Sequence, residues 1–263
     1  MIRKEFKNNL KSFIIWSSIL IIMFVLVFAI YPFIITDETV ESLDEMMKVF
    51  PPELLKTFNM DITSINTAYG WLKSEGFMFV LLITGIYSSF LGMNIVLKEE
   101  KEKTIEYLCF LPIKRCGILT KKIIVSITYI IGIVVLLGLV NYIALTISGD
   151  FNHKEYILLS LSPLVSIIPL FSINLFISTF LKTGKKSIGI SLGLVFISYI
   201  ISMLSEVSDK VEIIKYFSIY TLSDVRNIIT NTSIRIPCII ISLVITLIFI
   251  TGSYIKYNKK ELV

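Results

Sequence analysis

Several continuous apolar runs of about twenty residues constrain this chain more than any other feature. A helix needs roughly 20 apolar residues to cross the hydrocarbon core of a bilayer, and a soluble domain does not carry several such runs. Strands of a membrane β-barrel alternate apolar and polar residues, which continuous runs do not do. The sequence therefore predicts an all-α polytopic membrane protein with six spans, at about residues 13–35, 77–97, 123–147, 156–181, 187–204 and 234–255.

Local sequence adds details to three of these spans. Residues 1–12 are basic and carry apolar side chains at every fourth position, which predicts a short N-terminal helix lying on the membrane surface. The first span is too long for a signal-peptide core, so we expect it to be retained. Pro163 and Pro169 predict a kink or break near the start of the fourth span. The fifth span is rich in glycine and serine, which permits close contact between helices.

The first segment outside the membrane, residues 36–75, is acidic. Its apolar residues recur at helical spacing and are interrupted by Pro51 and Pro52. This pattern predicts one or two amphipathic helices lying against the outer face of the membrane. A loop packed on its own spans is an equally good interpretation.

A charged segment, residues 97–115, separates the second and third spans. Each Lys, Arg or Asp at the centre of a membrane helix costs roughly 2.5–3.5 kcal/mol, so this segment must lie in water. Glu99 and Lys103 form one of two oppositely charged pairs four residues apart, which favours an exposed helix. Pro112 would end that helix, because proline lacks a backbone N–H. From composition alone, an ordinary solvated loop is the alternative.

The basic residues predict the orientation of the chain. With six spans, both termini lie on the side of the charged segment, and 17 of the 25 Lys and Arg residues fall on that side. The opposite side has 8, against 14 acidic residues. The positive-inside rule then puts the termini and the charged segment in the cytoplasm. The same distribution explains the net charge of +5 without a nucleic-acid partner.

The chain offers little chemistry of its own. His153 is the only histidine, and the three cysteines show no CxxC spacing. The Gly-Lys-Lys-Ser at 184–187 has the end of a phosphate-binding loop, but Thr179 stands where the first glycine is required, and the segment joins two membrane helices. We therefore expect no enzymatic activity and no cofactor in this chain.

Polar side chains within the spans suggest how any transport would be driven. Ion-coupled carriers place ionisable groups at mid-membrane, and no charged residue falls in the interior of a predicted span. The energy is thus expected to arrive from elsewhere. Asn94, Asn141 and Asn174 each have two interpretations, an interhelical hydrogen bond or a position lining a transport path. All three are candidate path-lining residues.

The charged segment also resembles the cytosolic loop of ABC-2 type transporter permeases. That loop runs roughly E-x-x-x-G-T-ϕ-E-x-L-L-x-x-P-ϕ-S-R-x-x-ϕ-x-x-x-K, where ϕ is apolar. Lys103 stands here where glycine is frequent and Lys114 where serine is frequent. Residues 50–60 are similar to the segment that these permeases carry after their first span, and span count and length agree over the whole chain. The matching positions in the loop are Thr104, Glu106, Leu108, Pro112, Arg115 and Lys121.

The resemblance implies one ABC-2 transmembrane domain over residues 1–263, the permease subunit of an ATP-driven exporter in a bacterial cell membrane. Its partners would be an ABC ATPase subunit that holds ATP and magnesium, a second permease copy or close paralogue, and membrane lipid. Residues 1–12 would be the family's elbow helix. Small permeases of this kind in Gram-positive bacteria often export peptides, antibiotics or amphipathic compounds. The charged segment would be the coupling helix, contacting the ATPase through Glu99, Glu102, Thr104, Glu106, Leu108, Leu111, Pro112 and Arg115.

Functions from other classes stay open at this point. A membrane sensor or assembly protein that transports nothing would also bind a cytosolic partner through the loop of residues 98–121. An ion-coupled carrier is disfavoured by the uncharged spans. Co-purification with an ATPase subunit would exclude the sensor.

The predicted orientation can be tested by cysteine labelling in intact cells. A cysteine introduced at Thr57 should react with an impermeant maleimide from outside. Cys109 should react only after permeabilisation, because the positive-inside rule puts it in the cytoplasm. Each cysteine is tested in a chain whose other cysteines are replaced by serine. The reverse labelling pattern would overturn the orientation.

Overall fold

The structure is a computed structural model that describes residues 2–34, 45, 67–101, 114–149, 151–181, 186–207 and 218–259. All regular structure in these residues is helical. Six stretches are long and apolar enough to cross a membrane, which confirms the predicted all-α polytopic architecture. They are Ile2–Phe33, Phe77–Glu99, Arg115–Ser148, His153–Ser178, Ser187–Ser205 and Ile236–Lys259.

The α-helices of the described residues are numbered in chain order. One π-helical turn, Leu72–Gly76, joins α2 to α3, and one 3-10 turn, Tyr220–Ser223, precedes α8. The helices are α1 (Ile2–Ile34), α2 (Ala68–Trp71), α3 (Phe77–Lys101), α4 (Arg115–Ser148), α5 (His153–Leu161), α6 (Pro163–Ser178), α7 (Ser187–Val207), α8 (Val225–Asn231) and α9 (Ile236–Lys259).

The N-terminal helix differs from the prediction. Residues 2–12 are not a separate surface helix, because α1 is continuous over 33 residues. No glycine or proline occurs in α1 before Pro32, so nothing in the backbone interrupts its hydrogen bonds. The expected elbow helix is thus corrected to the first turns of α1, which reach beyond the apolar part of the span.

The predicted break in the fourth span is confirmed. α5 ends at Leu161 and α6 begins at Pro163, with Ser162 between them. A proline at the first position of a helix costs no hydrogen bond, because the N–H groups of the first turn have no partner within the helix. Pro169 lies inside α6. The fourth span is therefore two helices.

α3 and α6 form the centre of the bundle. In α3, 72% of the apolar membrane-spanning stretch is buried, compared with 17% of the corresponding stretch in each of α1 and α9. A Cβ atom at Gly92 of α3 would overlap the carbonyl oxygen of Phe171 in α6, so the two backbones approach as closely as they do only because Gly92 has no side chain. By contrast, a Cβ at Gly189 or Gly193 in α7 meets nothing within 4 Å, so this pair makes no close helix contact within the described residues.

The segment before α8 folds back into the bundle. Tyr220 is buried against α3 at Gly85. A Cβ atom at Gly85 would overlap the hydroxyl oxygen of Tyr220. The hydroxyls of Ser166 in α6 and Ser223 lie 2.5 Å apart, and Ser218 donates to the carbonyl of Ser198 in α7 at 2.6 Å. Hydroxyl pairs of this kind satisfy polar groups away from water. The segment thereby links α6 and α7 to α3.

The close α3–α6 contact predicts the effect of enlarging Gly92. Gly92→Ala should lower the free energy of unfolding by about 1–3 kcal/mol, because the added methyl meets backbone that cannot move aside. Gly132→Ala is the matched control, since its Cβ would lie 3.6 Å from the Phe13 ring, an ordinary contact. Equal stability of the two variants in mixed-micelle unfolding would contradict the assignment.

Candidate functional site

The structure describes the two ends of the charged segment, which is the predicted coupling helix. Glu99 lies near the end of α3, and Arg115 begins α4. Both helices belong to the bundle core, so whatever the segment binds is joined directly to the core at two points. The other predicted contact residues lie outside the described residues: Glu102, Thr104, Glu106, Leu108, Leu111 and Pro112.

Three charged side chains from three helices meet where this segment leaves the bundle. The ammonium group of Lys122 in α4 lies 2.5 Å from Oε1 of Glu99 in α3 and 3.7 Å from Oε1 of Glu5 in α1. It also donates a hydrogen bond of 3.1 Å to the carbonyl oxygen of Ile95. The side chains of Lys122, Glu99 and Glu5 are only 6%, 10% and 12% exposed. We call these three residues the charge cluster.

The helical face of α4 explains the burial of Lys122. Ile118 and Leu119 one turn before it, and Val125 and Ser126 one turn after it, are all buried. A side chain on this face points inward regardless of its polarity. Buried charge is tolerated only when it is paired and hydrogen-bonded, and Lys122 meets both conditions.

Two further hydrogen bonds gather helix ends at the same end of the bundle. The hydroxyl of Tyr129 in α4 donates to the carbonyl of Phe6 in α1 at 2.7 Å. The guanidinium of Arg115 donates to the carbonyl of Asn258 near the end of α9 at 3.4 Å. The start of α1, the end of α3, the start of α4 and the end of α9 thus lie together. Which face of the membrane this end occupies stays a prediction.

The opposite end of the bundle carries an ion pair within aromatic rings. Lys73, in the π-helical turn before α3, lies 3.1 Å from the Glu155 carboxylate in α5 and 4.9 Å from the ring centroid of Tyr69. The rings of Phe151 and Tyr156 pack on Tyr69. Burial, and then the Glu155 charge, raise the pKa of the Tyr69 hydroxyl, so it stays neutral. This pair fixes the last turn before α3 to α5.

The three candidate asparagines are not brought together. Asn94 is exposed on α3. Asn174 is fully buried in α6, and its amide donates to the Leu170 carbonyl at 2.9 Å. Asn141 is 4% exposed in α4, and its Oδ1 has no hydrogen-bond partner among the described residues. Of the three, Asn94 is the one that solutes outside the bundle can reach.

Asn141 lines a small cavity between α3, α4 and α5. The cavity has a volume of about 20 Å³ and is otherwise lined mostly by apolar side chains, such as Val80, Leu137 and Leu159. A cavity of this size has room for about one water molecule. The arrangement is suited to a polar group inside the packing of one chain rather than to the passage of a large solute.

Sequence reasoning did not find the charge cluster. It predicted a basic re-entry into the membrane at Lys121 and Lys122, and it included Glu5 in a surface helix. The available signal was the apolar side chains of Ile118, Leu119 and Val125, three or four residues from Lys122. That signal is readable only once α4 is known to begin at Arg115.

Comparison with known families fits this architecture. The family model described as ABC-2 family transporter protein matches residues 1–262. The chain belongs to this family, and it is a multi-pass permease subunit of an ABC transporter. As the transmembrane component it is not itself catalytic, and the family implies an ABC ATPase subunit as its partner. No curated protein and no solved structure matches the chain.

Replacing Asn141 by leucine should tell its two interpretations apart. Asn141→Leu removes a buried carbonyl oxygen without a partner, so we expect the free energy of unfolding to stay equal or to rise by about 1 kcal/mol. Asn174→Leu is the comparison: it also removes a buried Oδ1 without a partner among the described residues, but it removes in addition a hydrogen bond next to the close α3–α6 contact and should destabilise the fold. A folded Asn141→Leu permease that has lost transport would instead assign Asn141 to the transport path.

Proposed function

We propose that this chain is the permease of an ATP-driven exporter of peptides, antibiotics or amphipathic compounds in a bacterial cell membrane. A separate ATPase subunit would bind ATP and magnesium, and a second copy or close paralogue would complete the transport path. Both termini and the charged segment would face the cytoplasm. The observation that carries the proposal is the direct connection of the charged segment to α3 and α4, in a chain of the ABC-2 family.

This connection is suited to transmitting a movement. The first residues of the segment, through Lys101, form the end of α3, and its last residue, Arg115, begins α4. α3 is the most deeply buried span and contacts α6 and α7. A displacement of the segment by a bound ATPase would therefore move the centre of the bundle. Leu108 and Leu111, among charged residues, would give the ATPase a mixed apolar and polar surface to bind.

The exposed face of α3 supports a path shared between two permeases. Asn94 is exposed on this face, near the end of α3 that carries the charged segment. A polar side chain in a membrane helix is disfavoured against lipid and favoured against water or a protein partner. A second permease facing this surface would enclose a path with Asn94 on its wall. Asn141 and Asn174, which one chain already buries, would act through packing.

Two substitutions in the charged segment test the coupling role. Glu106→Lys reverses a charge on the predicted docking surface, and Pro112→Gly removes the predicted helix stop. We expect the amount of purified complex to be unchanged and the export rate per ATP hydrolysed to fall by about tenfold, the effect of losing one well-packed contact. Lys114→Gln, at an exposed position just before α4, is the matched control.

The same assay separates the exporter from its alternative. The permease is co-purified with its ATPase, reconstituted in vesicles and supplied with ATP on the cytosolic side. Normal export by both Glu106→Lys and Pro112→Gly would refute the coupling role. Binding of a cytosolic partner without nucleotide-dependent movement of any peptide or amphipathic compound would favour the sensor or assembly protein that uses the 98–121 loop.

A further inference from the structure

The charge cluster is arranged around one atom. The Lys122 ammonium is shared by two carboxylates at unequal distances, 2.5 Å to Glu99 and 3.7 Å to Glu5. A third acceptor, the carbonyl of Ile95, lies on the same helix as Glu99. Lys122 thus holds α3 through two oxygen atoms and α1 through one. A single side chain of α4 therefore contacts both α1 and α3.

The position of the cluster along the chain matters as much as its contacts. Glu99 precedes the undescribed part of the charged segment by a few residues, and Lys122 lies after the segment, about two turns from the start of α4. The ion pair between Glu99 and Lys122 therefore joins the two helices between which the segment runs. α1 is distant from the segment in sequence. The contact of Glu5 with Lys122 nevertheless brings the first turns of α1 to the same end of the bundle.

Stability alone does not explain the choice of charged residues here. Well-packed apolar residues of similar volume usually serve a buried position as well as an ion pair does, or better. Hydrogen bonds from an ammonium group to oxygen atoms are directional, which apolar contacts are not. They therefore fix the rotation and the axial position of each helix relative to its neighbour. The charge cluster is thus suited to holding three helices in one register.

We propose that Lys122 is a positioning residue that clamps the ends of α1 and α3 to α4, so that a movement of the charged segment moves all three helices together. This inference rests on the proposed function. Glu99 provides the tight half of the clamp, and Glu5 extends it to α1. Without the clamp, the segment would still bind the ATPase through its other predicted contact residues, but the ends of α1, α3 and α4 would move independently and the movement would not reach all three helices.

The decisive variant removes the charges without leaving any of them unpaired. Lys122→Met alone would take the buried cation away from two buried carboxylates and is expected to destabilise the fold. The triple variant Glu5→Gln, Glu99→Gln, Lys122→Met leaves no buried charge in the cluster and should stay folded. We expect its thermal stability in detergent to match the wild type. Lys11→Met is the matched control, because it removes an exposed cation of α1 outside the cluster.

The first measurement compares export with ATP hydrolysis in the reconstituted complex of permease and ATPase. We expect the triple variant to hydrolyse ATP and to export roughly 2- to 30-fold less per ATP than wild type, the range that coupling mutations produce. The Lys11→Met control should keep the wild-type ratio. A stable triple variant with an unchanged ratio would overturn the clamp.

The second measurement does not depend on transport. Spin labels at Lys7→Cys in α1 and at the native Cys116 in α4, with Cys109 and Cys238 replaced by serine, report the separation of the two helix ends. Labelled chains are diluted with unlabelled ones in nanodiscs, so that distances within one chain dominate. We expect a narrow distribution for the wild type and Lys11→Met, and a broad one for the triple variant.

The two measurements fail in different ways. An equally narrow distance distribution in the triple variant would overturn the clamp, whatever the transport result. Absence of ATP-dependent export by the wild-type complex, with the broadening still present, would overturn the proposed function and leave the clamp as a restraint between helices.

Discussion

The close contact of α3 with α6 at Gly92 is the interaction on which the rest of the bundle depends. Lipid gives apolar helices no reason to associate through the hydrophobic effect, so association relies on backbones that approach closely and on polar groups that pair. Gly92 permits the first, and the hydroxyls of Ser166 and Ser223 provide an instance of the second. With α3 fixed at the centre, α1 and α9 pack at the outside and remain largely exposed.

The central position of α3 matters for the charged segment, because the segment continues directly from α3. The same helix that is held at Gly92 continues to Glu99, where the chain leaves the bundle. A protein that acts on the segment therefore acts on the core, and the ion pair with Lys122 decides how far neighbouring helices share that action. The family assignment makes the chain the transmembrane component of an ABC transporter, which is not itself catalytic.

The sequence predicted the number and nature of the spans and the break at Pro163, because each of these depends on local properties. Apolar length and a missing N–H group act wherever they occur in a chain. It predicted the N-terminal helix less well. A change from basic to apolar residues at about residue 12 was interpreted as a boundary between two helices, whereas α1 runs through it. Composition changes there without any residue that interrupts helical hydrogen bonding.

What the sequence by itself determined is the membrane architecture, the resemblance to a family and the charged segment between the second and third spans. What only the tertiary structure decided is which polar groups meet. Lys122 follows Glu99 by 23 positions and Glu5 by 117, and nothing in the spacing relates three residues on three helices. Their meeting depends on where α4 begins and on how the helices rotate against one another, and those are set by side-chain packing over the whole bundle.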